Sequence, residues 1–169
     1  MAETRPAVGV VMGSDSDLPA MKKCLERLDR FGIPREVRVI SAHRTPEVAQ
    51  QYAVTAAERG VRVIIAAAGM SAALGGVLAA HTTLPVIGVP MASGPLVGVD
   101  AALSTMQMPP GVPVACMAIG EAGAANAAVF AAEILALSDE SLAGKLKTFK
   151  TEQAEKVARK DEQVRKSGA

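Results

Sequence analysis

Residues 7–17, AVGVVMGSDSD, pass from a short Val-rich apolar stretch into a small polar turn, and residues 18–31 then carry Leu18, Met21, Leu25 and Leu28 at helical spacing on one face. The order is strand, loop, helix. The unit recurs. Residues 37–40 are followed by a helix over about 46–59, opened by Pro46, which suits a first helical turn. Residues 61–67 are followed by a small-residue helix over about 71–81, and 86–89 form a fourth apolar run. A fifth, 112–119, precedes an Ala-rich helix over 122–137. Near-continuous apolar strands alternating with helices imply a parallel sheet covered on both faces. The expected fold is α/β, a three-layer α/β/α sandwich around a central parallel sheet.

The chain has 169 residues, 50% of them hydrophobic and 21% charged, which is enough for one packed core and excludes a mainly disordered chain. Residues 1–169 therefore read as a single domain, with its core over about 7–137 and a helical tail over about 138–165. The tail holds eight of the 18 basic and six of the 17 acidic residues, and its mixed signs suit a solvated amphipathic helix. Leu142, Leu146 and Phe149 are positioned to pack it on a neighbour, and the final RKSGA is expected to fray.

A net charge of +1 gives no broad field for nucleic acid, and 2% aromatics with no Trp leave few platforms for stacked bases. No nucleic-acid partner is expected. The N-terminus lacks a basic region followed by an apolar stretch, and no run approaches the roughly 18 apolar residues that span a bilayer. We expect no membrane association and a cytoplasmic location. Cys24 falls in a helix and Cys116 in a strand, at no metal or redox spacing, and both read as structural thiols.

In parallel sheets of flavodoxin-like or Rossmann-like type, ligands sit at the carboxyl ends of the strands. The loops after strands one to three thus hold the candidates. Ser14, Ser16 and Asp17 follow the first strand at a helix start, where free amides and the dipole favour an oxyanion or a hydroxyl-rich ligand. Alternatively, Asp17 only caps the helix. Ser41, Ala42, His43 and Arg44 share the second turn, SAHRTP, where Arg can clamp phosphate and His can move a proton near neutral pH. Gly69 and Leu74 lie in the third, GMSAALGG, whose small residues let backbone approach a ligand or a neighbouring helix. His81, at the end of the next helix, suits a cap or surface position. Two His and no Cys cluster make a zinc site improbable, and neither a GxGxxG fingerprint nor a phosphate loop is present.

GSDSD and SAHRTP, followed in order by GVP at 88–90, GVDAALS at 98–104, QMPPGVPVA at 107–115 and AGAANAA at 122–128, closely resemble the class I N5-carboxyaminoimidazole ribonucleotide mutases of purine biosynthesis. The resemblance covers roughly residues 7–137. It implies conversion of N5-carboxyaminoimidazole ribonucleotide into 4-carboxy-5-aminoimidazole ribonucleotide without cofactor, ATP, metal or biotin. It assigns proton transfer to His43 and substrate binding to Ser14, Asp17 and Arg44, with Ser16, Ser41, Ala42, Gly69 and Leu74 lining the same pocket. It also implies a homo-octamer with sites near subunit boundaries.

The family's usual GGAAHLPG appears here as GMSAALGG, with Ala73 in place of a histidine and Gly75 in place of a proline. Two rivals stay open. One is direct carboxylation of aminoimidazole ribonucleotide by a class II-like enzyme, against which SAHRTP, with Arg rather than Lys after the histidine, speaks. The other is a non-catalytic nucleotide-binding module in which His43 is incidental.

Overall fold

The computed structural model describes residues 5–168. Strands β1 (Val8–Met12), β2 (Arg35–Val39), β3 (Val63–Gly69), β4 (Val86–Met91) and β5 (Ala115–Cys116) form one sheet in the order β2-β1-β3-β4-β5, with every neighbouring pair parallel. The helices are α1 (Leu18–Phe31), α2 (Pro46–Thr55), α3 (Leu74–Ala80), α4 (Val99–Met106), α5 (Glu121–Ala136) and α6 (Glu140–Ser167). This strand order is the flavodoxin-like one, so the expected fold class holds.

Because strand side chains alternate, the central strands feed two apolar layers. Val8, Val10 and Met12, with Val63, Ile65, Ala67, Ile87 and Val89, pack against α1, α5 and α6. Val11, Ile64, Ala66 and Val86 pack against α2 and α3. Two strand glycines admit helix side chains on this second face. A Cβ at Gly9 would overlap the Tyr52 hydroxyl, and one at Gly88 would overlap Thr105 of α4. On the other face, Ala124, Ala127, Ala128, Ala131 and Ala132 of α5 are buried, and their small side chains bring that helix close to the sheet.

Several expectations are corrected. The buried stripe of α1 is Met21, Cys24, Leu28 and Phe31, whereas Leu18 is exposed and Leu25 only partly covered. The stripe turns toward α5, the helix against which α1 packs most extensively, and only its end, at Phe31, reaches Phe149 of α6. β2 is no apolar core strand: it is an edge, and Val37 and Val39 are exposed. β5 shrinks from 112–119 to two residues, because only Ile87↔Ala115 and Gly88↔Cys116 pair. Helix α2 ends at Thr55, with turns replacing 56–60. α4 was not foreseen at all.

Helix α6 begins where the Asp139 carboxylate accepts from the Leu142 amide at 2.9 Å. Leu142, Leu146 and Phe149 join the core of this same chain, and Phe149 meets Phe31 edge-on at 5.6 Å. Lys145 Nζ donates to the Phe31 carbonyl at 2.7 Å, tying α6 to the end of α1. From residue 150 to 168 every side chain is exposed, yet helix continues through Ser167, so the expected fraying is not seen to that point. Ala169 lies outside the described residues. None of the described helices is long and apolar enough to cross a membrane.

Candidate functional site

A parallel sheet with this strand order reverses direction of winding between β1 and β3, leaving a crevice at their carboxyl ends. A cleft of about 550 Å³ occupies that place. Its walls include Ser14, Ser16, Asp17, Ser41, Ala42, His43, Arg44, Gly69 and Leu74, so the structure brings together every residue singled out from the first three loops. His81 is elsewhere, exposed at the end of α3 with its Nδ1 at 2.8 Å from the Val77 carbonyl oxygen.

The first loop is a single tight turn, Asp15–Asp17, leading into α1. Ser14 Oγ organises it, accepting from the Ser16 amide at 3.3 Å and the Ser16 hydroxyl at 2.8 Å. Asp17 makes no side-chain capping bond to α1, which removes the plain capping alternative. Its side chain is nearly covered yet faces the cleft. Burial holds the carboxyl above its ordinary value; a hydrogen bond from the Ser14 backbone opposes this and the charge of Asp15 adds to it.

The second loop is braced from within. Ser41 Oγ accepts from the Arg44 amide at 3.2 Å and from Arg44 Nε at 3.3 Å, while Thr45 Oγ1 donates to the Ser41 carbonyl at 2.9 Å. Arg44 Nη2 reaches across to the Gly13 carbonyl at 3.4 Å, joining the second loop to the first. Among the described residues Arg44 has no acidic partner, so its guanidinium faces the cleft uncompensated. His43 lines the same cleft and is exposed in the single chain.

The third loop differs from its expected helix. α3 starts at Leu74 rather than near residue 71, because Met70 takes a left-handed backbone (φ 55°) and tight turns join Ala72 to Met70 and Ala73 to Ser71. Gly69 has a packing role of its own. A Cβ there would overlap the Ser93 hydroxyl, so the glycine also makes room for the loop after β4. Ser93 and Met70 both line the cleft; the GMSAALGG loop was singled out without a role for Met70, and Ser93 was passed over. The signal was available for Ser93, since β4 is parallel to β3 and its following loop must emerge at the same edge. Among the described residues, no three His, Cys, Asp or Glu side chains lie together as a metal site.

A family model described as AIR carboxylase matches residues 7–156. The chain belongs to the AIR carboxylase family. This family member is 54% identical over 150 residues to the N5-carboxyaminoimidazole ribonucleotide mutase of Vibrio vulnificus, covering 89% of this chain and 93% of that one. The mutase of the same name from Bacillus subtilis is 56% identical over 142 residues, with 84% and 88% covered. That of Mycobacterium tuberculosis is 51% identical over 165 residues, with 98% and 94% covered. Among solved structures, this AIR carboxylase family chain is similar to Treponema denticola PurE (TM-score 0.81, 32% identity) and to a PurE2 variant from that organism (TM-score 0.85, 30% identity), each covering 95% of this chain and 99% of the other.

Proposed function

We propose that this chain is a mutase that moves a carboxyl group from the exocyclic nitrogen to ring carbon 4 of an aminoimidazole ribonucleotide, converting N5-carboxyaminoimidazole ribonucleotide into 4-carboxy-5-aminoimidazole ribonucleotide in purine biosynthesis. The observation that carries it is the meeting, in one cleft at the β1/β3 crevice, of one imidazole, one guanidinium without an acidic partner and one nearly buried carboxyl. The mutases named above, half or more identical to this chain, support the same reading.

The residues divide the work by charge. Arg44 attracts the phosphate, with the start of α1 beside it as a second anion-favouring element. Asp17 suits ribose hydroxyls, because a carboxylate next to a phosphate would be repelled. Ser14, Ser16 and Ser41 offer neutral hydrogen bonds, and Ala42, Gly69 and Leu74 let the flat ring lie close. His43 then serves both half-reactions. As imidazolium it gives a proton to the carbamate nitrogen while the N–C bond breaks, leaving carbon dioxide and neutral aminoimidazole ribonucleotide. Carbon 4 attacks carbon dioxide, forming the new C–C bond, and the imidazole removes the proton from carbon 4. The histidine ends protonated as it began, so acid–base transfer and positioning suffice without a cofactor.

The working form in this reading is a cytoplasmic homo-octamer, each chain acting as one catalytic unit. Support comes from exposure. Trapped carbon dioxide needs a site closed to water, yet His43 and Arg44 are open in the single chain, and Leu96, Val97, Val99, Leu103 and Met106, close to one another in sequence, are each more than half exposed. Light scattering on a sizing column measures this directly, and a monomer at assay concentration would remove the octamer.

The test of the reading is His43→Asn. Turnover should fall by about 100-fold to 10,000-fold, the usual range for a positioned acid–base group, while ribonucleotide affinity stays within a few-fold. Unimpaired turnover removes His43 from the chemistry.

A further inference from the structure

We infer that Met70 is the residue that holds released carbon dioxide in the cleft until carbon 4 captures it. The inference rests on the mutase reading and deepens it. Between the half-reactions the carboxyl group exists as a small neutral molecule that no ion pair can hold. Retention therefore falls to an apolar wall that denies it an exit.

The loops after β1 and β2 contribute hydroxyls, a carboxyl, an imidazole and a guanidinium, none suited to that task. The opposite wall is built from the loops after β3 and β4. There Leu74 is buried in the floor, Gly69 and Ala73 are small, and Met70 is the long apolar side chain left at the rim, lining the cleft while 56% exposed.

Its placement is enforced from both sides. The Met70 backbone is left-handed, a conformation that an ordinary side chain adopts only when its surroundings hold it there. The side chain lies across Gly94, where a Cβ would stand 3.4 Å from its Cγ, 3.9 Å from its Sδ and 4.0 Å from its Cε. Reciprocally, the Ser93 hydroxyl lies over Gly69. Each loop thus offers a glycine that receives the other loop's side chain, and the interlock keeps Met70 against the cleft rim. A thioether chain is polarisable and adaptable, which suits a cover that must fit a flat ring and then a departing gas.

The experiment reads leakage rather than rate. The full-length protein converts unlabelled N5-carboxyaminoimidazole ribonucleotide in buffer containing 13C-bicarbonate, with carbonic anhydrase keeping labelled carbon dioxide at equilibrium. Mass spectrometry then measures the labelled fraction of the 4-carboxylated product early in the reaction, corrected for an enzyme-free control. Unmodified protein should transfer mainly its own unlabelled carboxyl. Met70→Gly, which suits the left-handed backbone, should raise the labelled fraction several-fold. Met70→Asn, also tolerant of that backbone but polar, should change it in the same direction. Equal labelling in unmodified protein and both Met70 variants overturns the assignment alone. Failure of the unmodified protein to make product overturns the mutase reading and this inference together.

Discussion

Replacing Arg44 with alanine takes away the guanidinium that lines the cleft with no acidic partner among the described residues. The side chain is solvent-exposed in the single chain, so its interaction with a phosphate falls at the lower end of the range for hydrogen bonds to charged groups, about 1.5–2 kcal/mol. At about 1.4 kcal/mol per tenfold, the loss corresponds to a rise in KM of roughly 10-fold to 30-fold. kcat should change much less, because the proposed mechanism gives proton transfer to His43. Part of the loss is local. Arg44 also bonds Ser41 Oγ and the Gly13 carbonyl, so a general loosening of the turn must be separated from loss of the phosphate contact. The separating assay is calorimetric binding of the ribonucleotide and of its dephosphorylated nucleoside to each protein. Unmodified protein should prefer the phosphorylated ligand by at least the same factor, Arg44→Ala should lose most of that preference, and Arg44→Lys should recover part of it through charge without the paired fork. A preference that survives intact in Arg44→Ala refutes the phosphate assignment.

Burial raises the Asp17 carboxyl above its ordinary value of 3.8, so the carboxylate proposed to accept from ribose hydroxyls is lost earlier on acidification than for a free aspartate. Substrate affinity should show an acid limb above that value, absent from Asp17→Asn; a matching limb in the variant assigns it to another group. The same shift has a stability sign. A raised carboxyl favours the protonated folded state at low pH and costs stability once ionised, so Asp17→Asn should raise Tm at neutral pH, with the gap closing on acidification. Gly69→Ala should destabilise by about 1 kcal/mol or more through overlap with Ser93 Oγ, and adding Ser93→Gly should restore most of it in denaturant melts. Phe149→Ala should cost about 3 kcal/mol, since the ring is 8% exposed and packs edge-on against Phe31; a loss below about 1 kcal/mol would mean that α6 contributes little to the core.

The alternation of apolar runs with helical periods was legible because the central strands are buried on both faces and cannot disguise themselves as amphipathic. The bounds of α1 were legible at 18–31, but its buried face was legible only at Met21 and Leu28, since Leu18 is exposed and Leu25 only partly covered. α4 escaped because its outward side chains, Val99, Leu103 and Met106, are the apolar ones, while inward lie Ala101 and Thr105. That inverts the pattern by which a surface helix announces itself. The edges β2 and β5 misled for a related reason. Val37 and Val39 look like core but face outward, and most of residues 112–119 finds no strand to pair with.

At the site, loop positions followed from sheet polarity, so the first three loops converge as expected. What sequence could not show is depth. Asp17, a plausible cap, is instead a nearly buried cleft carboxyl, and Gly69 is shaped as much by Ser93 as by any ligand. Loops three and four meet only in space, which is why Ser93 went unread and Met70 was read as part of its loop without a role of its own.

The central claim is tested most directly by giving chelator-treated protein N5-carboxyaminoimidazole ribonucleotide in one reaction and aminoimidazole ribonucleotide plus bicarbonate in another, and following 4-carboxylated product in each. The account predicts rapid conversion of the first and slow product from the second. Preference for aminoimidazole ribonucleotide with bicarbonate would make the chain a direct carboxylase, and silence in both would contradict the account outright.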